Sequence, residues 1–342
     1  MKRFLLLPIL AAVVFIANAQ TNPSGTCGDN LTWELNLGTG ELVISGYGEM
    51  ANYQNSYSAP WHANSSQVLS LSLPSGMTTI GKYAFANLSE LTTVTLPNSV
   101  KKIEYGAFYN CEKMETLNLG KVEEIGYYVF EYCDALAELT LPSTLTTIGY
   151  RAFYYSGIKN ITIPNTVTSL DLNVFEHSKL ETLVLNSTIT KVPGELCLCC
   201  ASLKSVTIPE GVTTIGDASF YYCTSLQTIT LPSTMSVIDA SFEGCSGLQS
   251  ITCYAAKPPV AHNEVFKEVP KTIPVYVPAG SIDKYKAASK WEDFGDNIQA
   301  IPGTATDIVT STDSKTQKVF RDGQVQILRD GQIYSVTGTE IR

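Results

Sequence analysis

The chain of 342 residues carries 32 acidic against 23 basic side chains, a formal net charge of −9, and only 16% of its residues are charged. No Lys/Arg cluster stands out, which makes nucleic acid a poor partner. Thr, Ser and Tyr abound instead, giving an uncharged, hydroxyl-rich surface suited to protein or sugar.

At the N-terminus, Lys2 and Arg3 precede an apolar run from Phe4 to Ile16 and then Ala17-Asn18-Ala19. These are the regions of a secretory signal over 1–19, with a mature chain starting at Gln20. Removing Lys2 and Arg3 leaves 21 basic against 32 acidic residues, a net charge of −11. No cysteine directly follows the expected cut, which argues against a lipid anchor. No later segment approaches the roughly 18 uninterrupted apolar residues of a membrane helix. The reading is a secreted or outer-surface product without a transmembrane segment.

Between 67 and 253, phenylalanine recurs at Phe85, Phe108, Phe130, Phe153, Phe175, Phe220 and Phe242, a period of 22 or 23 residues with one slot skipped. The surrounding unit reads L-x-x-L-x-L-P-x-x-V-x-x-I-x-x-x-A-F-x-x-C. A fixed period in this range marks a stacked solenoid, about nine coils here, whose neighbours bury their apolar sides jointly. The Phe rings then form a structural spine. In "LTTVTLP", Val94 and Leu96 point inward and Thr93 and Thr95 outward, as alternate side chains on a strand must. Pro97 ends the strand. Val100 and Ile103 read as a short extended piece, and the "AF" with its following Cys as a compact helical or 3₁₀ turn. The fold class is an α/β repeat solenoid with a parallel sheet on one face.

The outward positions Thr93, Thr95, Thr116, Thr140 and Thr162 make a hydroxyl ladder, either a recognition surface or the ordinary preference of strands for Thr. Tyrosines align too. Tyr105, Tyr127 and Tyr150 stand three before the Phe slot, Tyr109, Tyr154 and Tyr221 just after it, and Tyr132, Tyr155 and Tyr222 next. Such rings are enriched at binding hot spots, and they also serve simply to cover a turn layer. The candidate ligand-binding face is Tyr105, Tyr127, Tyr150, Tyr154 and Tyr155 with the Thr ladder.

Cys111, Cys133, Cys199, Cys223 and Cys245 fall three after the Phe slot and stack inside the rod. Free thiols are favoured there over disulfides, because parallel side-chain vectors oppose the close Cβ approach of a bridge. Cys197, Cys199 and Cys200 with His177 lack metal-ligand spacing. Asp217, Asp239 and Glu243 lack a calcium-loop pattern. His62, His177 and His262 sit in different modules, and no nucleophile, P-loop or dinucleotide motif is present. The sequence therefore points to no enzyme, no metal and no cofactor. One coil is irregular: in "NSTITKVPGELCLCC" the corner Pro becomes Asn186, the Gly slot Pro193 and the Phe slot Leu196, so looser or bent packing is expected.

The residues "FYYCTSLQTITLPSTMSVIDASFEGCSGLQSIT" closely resemble the BspA-like leucine-rich repeats of secreted and surface proteins in Bacteroidetes and some mucosal protists. The L-P corner, the A/S-F pair and the F-x-x-C spacing carry the resemblance over about 67–253. It implies a β-hairpin N-terminal cap at 20–66, from "GTCGDNLTWELNLGTGELVISGYGEM" and "APW" at 59–61, and an α+β C-terminal cap at 254–302. It also implies adhesion to host matrix proteins or other cells: a monomeric, non-catalytic, adhesin-like protein with an extracellular protein or glycan as partner. The alternative is a glycan-capture surface protein for nutrient uptake. No ligand-contacting residue transfers, because the family has no short binding signature. Beyond the cap, 303–317 is a polar linker, and 318–342 holds two Asp-Gly steps between β-rich runs, a small β-meander tail. Its position and "YSVTGTEI" ending resemble Bacteroidetes C-terminal sorting modules, although it is shorter than one. Export and a passive β-tail both fit.

Overall fold

The computed structural model describes residues 21–262 and 264–302, together with strand backbone between 316 and 341. The expected signal at 1–19 and the linker up to residue 315 lie outside the described residues.

Alternation in "LTTVTLP" yields the strand Thr93–Thr95, with Val94 buried and both threonines exposed. A three-residue strand cannot satisfy its own backbone. It pairs in parallel one coil on, Thr93 opposite Thr116, Val94 opposite Leu117 and Thr95 opposite Asn118. The same pairing joins Asn160–Thr162, Thr182–Val184 and Ser205–Thr207, and then Thr228–Leu231 with Ser250–Cys253. At the corners the proline carbonyl accepts the N–H three residues on, from Val100 to Pro97 and from Val167 to Pro164, both at 3.0 Å. That turn needs no donor from proline.

The second apolar pair does more than extend. Lys102–Ile103, Glu124–Ile125, Thr147–Ile148 and Ser169–Leu170 pair in register, so a second parallel sheet runs beside the expected one. The N-terminal hairpin feeds it: β1 (Ser24–Gly28) and β2 (Leu31–Asn36) are antiparallel, and β3 (Glu41–Glu49) pairs with β2 on one side and with Gly76–Ile80 on the other. The whole is a parallel-strand solenoid of about ten turns with little helix. The ladders continue past Cys253 through Val275–Val277 to Ile298–Ala300, with the helix Ile282–Lys286 between them. The tail strands Thr316–Arg321, Gln324–Arg329, Gln332–Ser335 and Glu340–Ile341 form an antiparallel meander.

The turns are not helical, which corrects the sequence expectation. Those of the first five rings each carry two residues of positive φ, placed two before and two after the ring: Tyr83 and Asn87, Gly106 and Asn110, Tyr128 and Tyr132, Arg151 and Tyr155, Asn173 and His177. These bends aim every second N–H at the next coil. Gly106, Phe108 and Asn110 donate to the carbonyls of Tyr127, Val129 and Glu131 at 2.9, 3.0 and 2.8 Å. A helix would return those donors to its own coil. Bonding between coils wins, although each left-handed residue with a Cβ costs about 1–2 kcal/mol.

Phe85, Phe108, Phe130, Phe153 and Phe175 stack in file, with centroids 5.3, 5.6, 5.4 and 5.7 Å apart. Trp61 covers the N-terminal ring, and its indole N–H donates to Ala84 O at 2.9 Å. The file breaks at Cys197, resumes through Phe220, Phe242 and Phe266, and ends against Trp291, whose indole N–H donates to Pro259 O at 3.0 Å. Cys197, not Leu196, holds the ring slot: its N–H bonds Ser219 O while Phe175 N–H bonds Leu196 O, as ring-slot amides do in other coils.

The thiol ladder shifts accordingly, to Cys200 in place of Cys199. Cys111, Cys133, Cys200, Cys223 and Cys245 each donate S–H to the carbonyl of the ring-slot residue one coil back, at 3.2, 3.4, 2.9, 3.2 and 3.1 Å. Cysteine suits this slot as a small side chain with a weak donor. Burial pushes the Cys111 and Cys245 thiols up to about 12, and raises those of Cys133 and Cys223 as well. All nine cysteines are free, and Cys199 alone is not fully buried.

Nor is the irregular coil loose at its corner. Buried Asn186 donates its amide N–H to Pro164 O and Val167 O at 2.7 and 2.9 Å, and its side-chain oxygen accepts the N–H of Ile189 at 3.1 Å, the bond a proline carbonyl accepts elsewhere. What changes is sheet continuity: the second ladder stops at Ser169–Leu170 and restarts at Lys191–Val192.

In urea titrations, Phe153→Ala is expected to lose about 3–5 kcal/mol of stability and Cys197→Ala markedly less; equal losses would contradict a ring-centred core. Native alkylation followed by peptide mass spectrometry should label Cys199 and spare the ladder thiols. A labelled Cys133, or a Cys111–Cys133 bridge, would refute the buried-thiol assignment.

Candidate binding face

The left-handed turns gather aromatic side chains on one flank. Tyr83, Tyr105, Tyr128 and Tyr150 form a zigzag file with centroids 5.2, 5.0 and 5.3 Å apart. The zigzag arises because Gly106 takes the slot that Tyr83 and Tyr128 hold in their coils, and a Cβ there would meet the Tyr83 ring at 2.7 Å. Tyr127, 50% exposed, stands edge-on to Tyr150 at 6.5 Å.

A second file follows the ring slot. Tyr132 lies 5.5 Å from Tyr155, which stacks on His177 at 4.6 Å and 18°. Tyr109 and Tyr154 prop Tyr132 edge-on at 5.8 Å each. Arg151 ties the files together, its guanidinium 5.3 Å from the Tyr150 centroid and 4.5 Å from that of Tyr154. It also pairs with buried Glu176 at 3.0 Å. Asn173 donates to Glu176 and Glu195, both at 2.7 Å.

Among these rings sits Glu131, 7% exposed, with Oε2 lacking a hydrogen-bond partner. Burial pushes its carboxyl up to about 7, with Arg151 opposing the shift and Glu176 adding to it. The face is thus an apolar, weakly charged platform held rigid by edge-on rings. It ends at the next coil, where Gly194, Leu198 and Cys199 replace the rings.

Of the sequence candidates, Tyr105, Tyr127, Tyr150, Tyr154 and Tyr155 all lie in this surface. Thr93, Thr95, Thr116 and Thr162 are exposed on strands of the first sheet, apart from the rings. Thr140 is exposed where that ladder is interrupted, its coil contributing only the bridge Glu138 to Asn160. Sequence reasoning missed Tyr83, Tyr128, Arg151 and Glu131. For Tyr83 and Tyr128 the available signal was a bulky residue two before the Phe, in a slot where positive φ favours Gly. Among the described residues no group of three His, Cys, Asp or Glu could hold a metal, and no helix is long and apolar enough to cross a membrane.

The family model described as "BspA type Leucine rich repeat region" matches residues 61–181 and 169–271, in six copies. A leucine-rich repeat protein from Eubacterium ventriosum is 22% identical with a TM-score of 0.51, over 76% of this chain and 80% of its own. One from Bacteroides ovatus is 22% identical with a TM-score of 0.48, over 75% and 71%. At this identity the first likeness bears on the fold alone. No curated protein matches the chain.

Glu131 gives the face a pH signature. Folding raises its pKa from 4.5 to about 7, so the folded state binds the proton more tightly. Stability should be highest below the lower value and fall by about 3 kcal/mol as pH rises from there through the higher one. Glu131→Gln should remove that slope in urea titrations at pH 5 and pH 8; an identical pH dependence in both proteins would contradict it.

Proposed function

The chain belongs to the BspA-type leucine-rich repeat family, and from that premise we propose that it is a non-catalytic, adhesin-like binding protein. It acts when secreted or at the outer surface of a Bacteroidetes cell, and it holds an extracellular protein of host or bacterial origin. The observation that carries this reading is the aromatic flank, in which Tyr127 and Tyr155 remain 50% and 40% exposed although their neighbours pack edge to face. Tyrosine supplies contact area at little entropic cost, and rings already locked by their neighbours lose little more on binding. Several coils then contribute to one interface. The tail strands give a reason to expect export through a terminal signal.

Immobilised extracellular matrix proteins provide the test. Tyr127→Ala combined with Tyr150→Ala should weaken capture by about 2 kcal/mol or more while the circular dichroism spectrum stays the same. Unchanged capture would reject this face and redirect attention to the Thr ladder. Fractionation of cells making a chain that stops before residue 318 tests export: retention inside the cell supports a sorting tail, and normal release makes it passive.

A further inference from the structure

The file of rings has one open end. Tyr155 is covered by His177 on one side and faces Tyr132 on the other, but the coil before Tyr132 carries Asn110 in the equivalent slot. The rings that touch Tyr132 are two edge-on props, Tyr109 and Tyr154, and the tilted Tyr155. From the coil of Asn110 only the Tyr109 ring reaches Tyr132, edge-on at 84°, and no ring stacks flat on it from that side. A groove of about 460 Å³ opens there, lined by Asn110, Glu112, Lys113, Tyr132, Asp134 and Tyr155.

The rim is chemically mixed. Asn110 donates its amide N–H to Asn87 at 3.1 Å, which leaves its side-chain oxygen as an acceptor. Glu112 adds carboxylate oxygens. Lys113 and Asp134, both exposed, are tied only to half-buried Glu90 at 2.8 Å and exposed Lys179 at 2.9 Å, and such surface pairs exchange readily for a ligand group. Acceptors and a donor thus surround aromatic rings that line an open groove. Glu112 and Asp134 oppose an anion, and Lys113 offsets part of their pull on a cation. A neutral ring bearing hydroxyls fits: each hydroxyl both donates and accepts, and the C–H groups of its flat side meet the electron-rich ring face.

We infer that this groove is a saccharide subsite, which seats one neutral hexose of a longer chain on Tyr132. The inference rests on the binding-protein reading above and specifies a ligand for one end of its aromatic face. The hexose reaches it either on a free polysaccharide or on the glycan of a glycoprotein.

The full chain is titrated with neutral trisaccharides of glucose, mannose and galactose, with saturation-transfer NMR and calorimetry as readouts. The informative variant is Tyr132→Asn. Asn already occupies the same left-handed slot at Asn87 and Asn110, so the turn is kept and the ring removed. Expected is binding of at least one trisaccharide, weakened about tenfold or more by Tyr132→Asn and unaffected by Thr228→Ala on the strand face. A glycoprotein captured before but not after deglycosylation assigns the bound glycan as the source; capture of polysaccharide alone assigns the free chain. No binding of any trisaccharide, or full affinity in Tyr132→Asn, overturns the subsite. Capture of matrix proteins, read through Tyr127 and Tyr150, is scored separately, so either reading can fail alone.

Discussion

The amide of each ring-slot residue donates to the carbonyl just before the next ring slot, from Phe85 to Ala107 at 2.8 Å through to Phe242 to Val265 at 3.1 Å. This bond sets the spacing of the coils in the turn layer as the parallel ladders set it on the sheets. Ring separations of 5.3 to 6.2 Å follow from it. So do the left-handed bends, because only an alternating backbone directs successive donors along the rod instead of around it. Flank tyrosines such as Tyr128, Tyr132 and Tyr155 occupy those bends. Their placement is a consequence of how the backbone is satisfied.

The apolar interior is closed at both ends by the same device. An indole lies against the last ring and gives its N–H to a carbonyl, Trp61 to Ala84 and Trp291 to Pro259. Tryptophan covers a wide apolar surface and carries a polar handle that must be satisfied when buried. A phenylalanine would leave those carbonyls to find other partners. In the middle, Cys197 leaves the stack without a ring, at the coil that follows the break in the second sheet. Two blocks of continuous stacking result, and the aromatic flank belongs entirely to the first.

Much of this was legible in residue spacing. The Phe period fixed the repeat, and Thr93 and Thr95 alternating with Val94 fixed which way the strand faces. The irregular coil was misread by one residue because counting from Leu196 reproduced the spacing to Cys199, while burial and backbone pairing choose Cys197 and Cys200. Its corner was misjudged because Asn186 reads as a lost proline, whereas its amide supplies bonds of its own. The second sheet was missed since two-residue strands leave no alternation to detect. Arg151 and Glu131 were invisible for a different reason: their meaning depends on neighbours one coil away, some 20 residues off in sequence, such as Glu176 beside Arg151.

Because every coil is bonded chiefly to its two neighbours, the molecule can change length only in whole quanta. Duplicating a segment from one ring slot to the next would insert a unit whose donors and acceptors match those already waiting on both sides, and the Trp-sealed ends would simply move apart. An insertion of a few residues inside a coil would have to be looped out. Gene-level stuttering in the first block would therefore broaden the tyrosine flank coil by coil, an adjustable ruler for the size of what it touches.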